Sequence, residues 1–249
     1  MVGISQYKME NKSNIQALQD LRIQNLQKQH EIRRHHIVKR LKELKKIYSK
    51  PYCWHYENNK MILKPGEEDH NKRIFQELCF CLLTANTSAR AGLKAVHFAR
   101  EKLIDGNLKE LQHSLVMAGY RYPNKRAEYI VYARDFLNRE LNFKLKEKLE
   151  SLDFDSRRDF IVQNIKGLGY KEASHFLRNI GFSGYAILDK HVINTLCDLG
   201  YLDKSSPPNN KAKYLEIENK VITLAKDANI NIDELDFVLW ANKTGEILK

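Results

Sequence analysis

The sequence predicts an all-α protein, and three observations predict it. Apolar residues recur at steps of three and four through nearly every segment after residue 36. Helix start and stop signals punctuate those segments at plausible lengths. Strand-like alternation is convincing at one place only, Trp54–Tyr56 and Met61–Leu63 around Asn58-Asn59, a candidate hairpin inside an insert spanning 51–70.

Taken in order, the front of the chain (1–50) is Gln/Asn-rich up to Gln29 and strongly basic from Arg33 to Lys50. Ile37, Leu41, Leu44 and Tyr48 give one amphipathic helix there. Its basic face (Lys39, Arg40, Lys42, Lys46) suits either simple solvation or weak attraction to phosphates. Helical spacing returns at Asn71–Ala85 through Ile74, Leu78 and Leu82. Ser88 can cap a helix carrying Leu93, Val96 and Leu103, and Leu108, Leu111 and Leu115 mark another that stops at Gly119. Pro123 and Asn124 start a helix with Ile130, Ala133 and Leu137. Phe160 and Val162 belong to the next, Val192, Leu196 and Leu199 to one stopped by Gly200, and Tyr214, Ile217, Val221 and Leu224 to one that follows a polar linker at Ser205–Asn210. Leu235, Val238 and Leu239 define the last.

Composition narrows the function. The chain has 249 residues and a net charge of +11, which points to a polyanionic partner. Residues 1–50 hold 12 Lys/Arg against 4 Asp/Glu, so most of the excess sits there. The four cysteines (Cys53, Cys79, Cys81, Cys197) include no CxxC pair, so zinc is not supported, and no metal or cofactor motif is read. Cys79 and Cys81 read as small core hydrophobes. The longest apolar run, Leu78 to Leu83, is far too short to span a bilayer, and no signal peptide is read. The expectation is a reduced, intracellular protein.

The segment from Asn164 to Asp189, NIKGLGYKEASHFLRNIGFSGYAILD, carries most of the chemistry. Gly167 and Gly169 flank Leu168 in a turn between two helical patterns. Glycine permits positive φ and close backbone approach, and the helix that follows offers unpaired N–H groups to a phosphate. An ordinary helix–turn–helix corner has the same pattern. Leu168 reads as the peg that pins the turn to the core. Lys171 lies in the first turn of the second helix, where the dipole disfavours an ammonium, and a neutral lysine amine is a nucleophile that forms Schiff bases. Lys166 and Lys190 read as phosphate contacts. Asp189 reads as an N-cap, a role compatible with a rigid carboxylate that faces a developing cation. Near the C-terminus, Asp236 and Trp240 are four apart and share a helix face, with Trp240 either stacking on a base or completing a core.

This segment resembles the helix-hairpin-helix DNA glycosylases, and more narrowly the archaeal-type 8-oxoguanine DNA glycosylase/lyases. Four further stretches agree in order: FQELCFCLLTANTSA (75–89), YPNKRAEYIVYARDFLN (122–138), KYLEIEN (213–219) and ELDFVLWANKTGEILK (234–249). The resemblance implies two helical lobes with a catalytic cleft between them. A central barrel (71–181) would end in the helix-hairpin-helix. The C-terminal lobe (182–249) would be joined by the end of the N-terminal extension. It implies Lys171 as nucleophile, Asp189 as the carboxylate that stabilises the sugar cation, and Trp240, Asp236 and the terminal Lys249 as base recognition. Gly167, Gly169, Lys166 and Lys190 would meet DNA. The expected partner is duplex DNA containing 8-oxoguanine, the expected state a monomer without membrane attachment, and no cofactor is implied. The iron–sulfur cluster of wider relatives is absent, since no cysteine follows Cys197. The loop 181–188 lacks the proline of the wider superfamily. Chemistry on another oxidised base, or DNA binding without chemistry, are the alternatives. Lys171 and Asp189 argue against the second, and a pocket acceptor for the N7 proton would single out 8-oxoguanine from guanine.

Overall fold

A computed structural model describes the backbone of residues 2–49, 52–58, 60–65 and 70–247, and the side chains of most of them from residue 16 onward. Lys249 lies outside the described residues, as does the side chain of Tyr48. The described chain is all-α apart from one two-stranded antiparallel hairpin, β1 (Tyr52–Glu57) and β2 (Lys60–Pro65), at the place where alternation predicts it. Asn58 in its turn has a left-handed φ of 49°, a conformation asparagine tolerates. No described helix is long and apolar enough to cross a membrane. The chain divides into two compact units, Arg40–Tyr185 and Met1–Lys39 with Ala186–Ile247.

The first unit is built around α2 (His70–Thr84), which is buried on every face from Arg73 to Leu83. A helix apolar almost all round must be surrounded. Its neighbours are α3 (Ala89–Ala99), α5 (Pro123–Leu141), α6 (Leu145–Glu150) and α8 (Tyr170–Asn179). Local signals start these helices. The Ser88 hydroxyl accepts the Ala91 N–H (3.1 Å), and Asn107 and Glu110 cap α4 (Leu108–Met117) reciprocally. Asp153 caps α7 (Phe154–Asn164) by accepting the Ser156 N–H at 2.8 Å. Cys79 and Cys81 are fully buried among apolar side chains, and burial pushes the Cys79 thiol far above its ordinary range, so it acts as packing.

The C-terminal carbonyls of α2 illustrate where polar residues turn inward. Thr87 and Tyr120 hydroxyls both donate to Leu83 O, and Arg126 Nη2 donates to Ala85 O at 3.0 Å. Arg126 is buried. It satisfies a helix end. Deeper, Asn179 Nδ2 donates to Glu77 Oε1 at 2.8 Å while Arg178 donates to Asn179 Oδ1, linking α8 to α2 through buried polar groups.

In the second unit, the N-terminal helix α1 (Val2–Ser49) contributes its stretch up to Lys39, beside α9 (Lys190–Asp198), α10 (Lys211–Asp227) and α11 (Ile232–Thr244). Gln27 donates to Ala228 O at 3.0 Å, and His30 Nε2 meets Glu234 Oε2 at 2.6 Å. The division differs from the expected boundaries. The first part of the N-terminal extension, not its end, goes with the C-terminal unit. The second break falls after Tyr185 rather than Gly181, because Tyr185 stacks on Phe154 (4.2 Å, 5° between planes) and donates to Phe154 O at 2.7 Å.

Candidate active site

Helices α7 and α8 form the hairpin, and each residue of its turn has a definable role. Ile165 ends α7, with its N–H donating to Ile161 O at 2.8 Å. Leu168 is buried in the core of the first unit, the peg its sequence position predicts. Ala173 is fully buried where the helices meet. Gly167 has φ +94°, and a methyl group there would overlap the Tyr129 ring, so both conformation and space demand glycine. Gly169 is different. Its φ of −97° and ψ of −173° are extended values open to any residue, and an added Cβ would sit an ordinary 3.4 Å from the tip of Glu172. Nothing in the hairpin's own packing requires glycine at 169. Gly167→Ala is therefore expected to destabilise the protein by at least about 2 kcal/mol, read by denaturant unfolding. Gly169→Ala should stay within about 1 kcal/mol of the parent yet weaken duplex binding. Unchanged binding by a folded Gly169→Ala would remove the backbone cradle at that position.

Gly169 caps α8 without a side chain, and one acid, Glu172, stands in the first turn of that helix. Lys166, Gly167 and Gly169 are exposed beside it, and the Lys166 ammonium lies 5.9 Å from the Tyr132 ring. Lys171 stands in the first turn of α8 with its side chain 38% exposed, and its Nζ is 3.3 Å from Glu172 Oε1. Glu172 is mostly covered. Neither spacing nor motif marks it, yet its carboxylate is the one that pairs with the amine.

The first turn of α8 is braced against α7. Tyr170 donates to Asp159 Oδ1 at 2.7 Å. Burial, reinforced by the Asp159 carboxylate, pushes the Tyr170 hydroxyl up to about 12, so it keeps its proton and remains a donor. Buried Arg158 donates to Ser174 Oγ (3.2 Å) and lies over the Tyr170 and Tyr185 rings at 5.6 and 5.5 Å. These contacts fix the backbone from which Lys171 projects. They are invisible to periodicity, which treats a charged residue as a surface one.

In the other unit, Asp189 Oδ1 accepts both the His191 and Val192 N–H groups at 2.8 Å, the N-cap of α9. The preceding segment is held by α10. Glu218 Oε1 accepts the Ala186 N–H at 3.1 Å, and the Tyr214 hydroxyl donates to Ala186 O at 2.7 Å. Tyr214 and Glu218 lie in the KYLEIEN stretch, so that stretch sets where Asp189 begins its helix. Lys190 is exposed. Helix α9 packs on α11, whose Asp236 and Trp240 are both half-buried while Leu235, Phe237, Val238 and Leu239 fill the core. Trp240 is thus not a buried core residue. The structure gathers Lys166, Gly167, Gly169 and Lys171 on the hairpin and places Asp189, Lys190, Asp236 and Trp240 in the second unit. His175 packs edge-on against Phe80 at 5.7 Å, a structural contact.

The family described as 8-oxoguanine DNA glycosylase matches residues 55–230, which include the hairpin, Asp189 and α10. The chain belongs to the 8-oxoguanine DNA glycosylase family. A member named 8-oxoguanine DNA glycosylase/AP lyase, from Methanocaldococcus jannaschii, is 38% identical over 218 residues, covering 86% of this chain and 99% of the relative. The crystal structure of the M. jannaschii 8-oxoguanine glycosylase/lyase in complex with a 15mer DNA containing 8-oxoguanine is similar, with TM-score 0.75, 35% identity and coverage of 90% of this chain and 99% of that one. That of Tm1821, the 8-oxoguanine DNA glycosylase of Thermotoga maritima, gives TM-score 0.77 at 32% identity, with 93% and 100% covered. The glycosylase-family match begins within β1, earlier than the segment 75–89 at which the sequence resemblance starts, and stops before α11, where Trp240 lies.

Proposed function

We propose that this chain excises 8-oxoguanine from duplex DNA and then cleaves the strand at the abasic site, with Lys171 as nucleophile and Asp189 as the carboxylate. The observation that carries the proposal is a half-exposed lysine amine on the uncapped first turn of a hairpin helix, in a chain so similar to a named glycosylase/AP lyase. A target nucleotide must leave the stack to meet that amine. Lys171 Nζ attacks C1′ as the C1′–N9 bond breaks, the bonding pair leaves with the base, and the base takes a proton. Asp189 faces the positive charge that develops on the sugar and relays protons. Ring opening gives a C1′=N iminium. Loss of a C2′ proton then expels the 3′ phosphate with the C3′–O electron pair, and water hydrolyses the unsaturated imine to free the amine.

Glu172 would hold the amine in place between turnovers, and the α8 N-terminus with Lys166 would receive backbone phosphates. Trp240 would stack on the extruded base, with Asp236 and Lys249 completing recognition. The chain would act as a monomer on chromosomal DNA inside the cell.

Borohydride trapping tests this directly. An 8-oxoguanine duplex is expected to yield a covalent adduct and a nick, and a guanine duplex neither. Equal trapping on a thymine glycol duplex would redirect the chemistry to another lesion, and no adduct on any duplex would end the enzymatic reading. In the same assay, Trp240→Ala and a chain ending at Leu248 should lose preference for the oxidised purine. Selectivity unchanged in both would remove them from the pocket.

A further inference from the structure

Helix α1 is 48 residues long and carries two opposite faces. Leu26, His30, Ile37 and Leu44 are buried, at steps of four and seven. Half a turn away, Lys28, His35, Lys39 and Lys42 follow one another at steps of seven, four and three, with Glu31 between the first two at steps of three and four, and all five are exposed. Steps of three, four and seven keep residues on one line of an α-helix. These side chains therefore form a ridge about 21 Å long, at ~1.5 Å per residue, that is basic on balance.

Two arginines of the helix have acidic partners. Arg40, expected on the basic face, is mostly covered and pairs with Glu43 at 3.2 Å, and Arg34 lies 3.7 Å from Glu234. Among the described residues, no carboxylate lies within ion-pair distance of Lys28, Lys39 or Lys42. Three ammonium groups in line on one helix, opposite its buried face and with Glu31 the one carboxylate among them, suit the charge spacing of a nucleic-acid backbone, about one phosphate per 3.4 Å of each strand.

We propose that this ridge is a second, sequence-independent contact with duplex DNA, bearing on backbone phosphates and raising affinity for undamaged duplex. The duplex is chosen on the reading of the chain as a DNA glycosylase. Leu21 and Ile32 are also exposed on this helix, but a second copy laid along it would oppose lysine to lysine. Like charges directly opposed disfavour that pairing.

The test uses the full chain with Lys28→Gln, Lys39→Gln and Lys42→Gln combined, and a lesion-free duplex, with binding followed by fluorescence anisotropy across a salt series. The slope of log affinity against log salt is expected to flatten by about 2.7, ~0.9 for each phosphate no longer neutralised. The corresponding triple Lys→Arg variant should keep the parent slope. Single-turnover excision at saturating enzyme should be unchanged, since none of these residues meets the reacting sugar. An unchanged slope overturns the ridge as a DNA contact. So does a parent that sediments as a dimer which the glutamine variant dissolves, or parent binding to phosphatidylserine vesicles that the variant alone loses. A chain that shows the slope change but never excises a base would sink the enzymatic reading and leave the ridge standing.

Discussion

Lys171→Gln is expected to abolish both the borohydride adduct and strand cleavage, leaving nicking at background. An amide cannot form an imine, so every step after attack on C1′ is lost, not slowed. The fold should survive. The side chain is 38% exposed, and its ion pair with Glu172, at 3.3 Å, is the partly exposed kind. Such pairs contribute at most about 1 kcal/mol. Glutamine still reaches toward Glu172 as a hydrogen-bond donor. Lesion-duplex affinity should therefore stay within a few-fold of the parent, which separates lost chemistry from lost binding. Nicking at the parent rate by Lys171→Gln would move the nucleophile elsewhere. Parallel loss of binding and unfolding would make the residue a structural one.

How much of this is legible in the sequence depends on what each residue does. The hairpin is legible because its signals are local. Gly167 must have positive φ, Leu168 must go inward, and Ala173 must be small. Helix α10 is legible for a related reason, since Tyr214, Ile217, Val221 and Leu224 are all buried at helical spacing. The stretch of α1 just ahead of Ile37 is not. Its buried line runs through Leu26 and His30, and the histidine, with glutamines around it, breaks the apolar pattern that periodicity detects. Charged residues turned inward escape for the same reason. Glu77, Arg158 and Arg178 are buried because polar partners satisfy them, some at distant positions. Spacing along the chain carries no trace of a partner a hundred residues away. Arg126, charged and yet buried, is a cap on α2. Gly169 resembles its neighbour two residues earlier, yet φ and the space a Cβ would occupy distinguish a glycine that is needed from one that is merely present.

The candidate site follows the same division. Lys171 and Asp189 stand out by residue type and position. What holds them does not, because Tyr170–Asp159, Arg158–Ser174 and the grip of Tyr214 and Glu218 on Ala186 are all tertiary. A site of this kind depends on supporting groups beyond those that carry the chemistry.

Asp189→Asn separates the two roles of that carboxylate. As an N-cap, Asp189 uses Oδ1, accepting the His191 and Val192 N–H groups at 2.8 Å each. Asparagine presents the same carbonyl oxygen and caps about as well, so stability should change by no more than about 0.5 kcal/mol. Asp189→Ala, by contrast, should cost about 1 kcal/mol. What asparagine cannot supply is the negative charge opposite a sugar becoming cationic, or a site that accepts a proton. Base release by Asp189→Asn should fall about a hundredfold to ten-thousandfold. Binding of the uncleaved lesion duplex should hold or tighten, because a negative charge near phosphates has been removed. The measurement is single-turnover base release, with thermal unfolding of the same preparation. A fall in rate for Asp189→Ala with none for Asp189→Asn would assign the residue to capping alone. A fall in both, with only Asp189→Ala destabilised, assigns the charge to the chemistry and the oxygen to the helix.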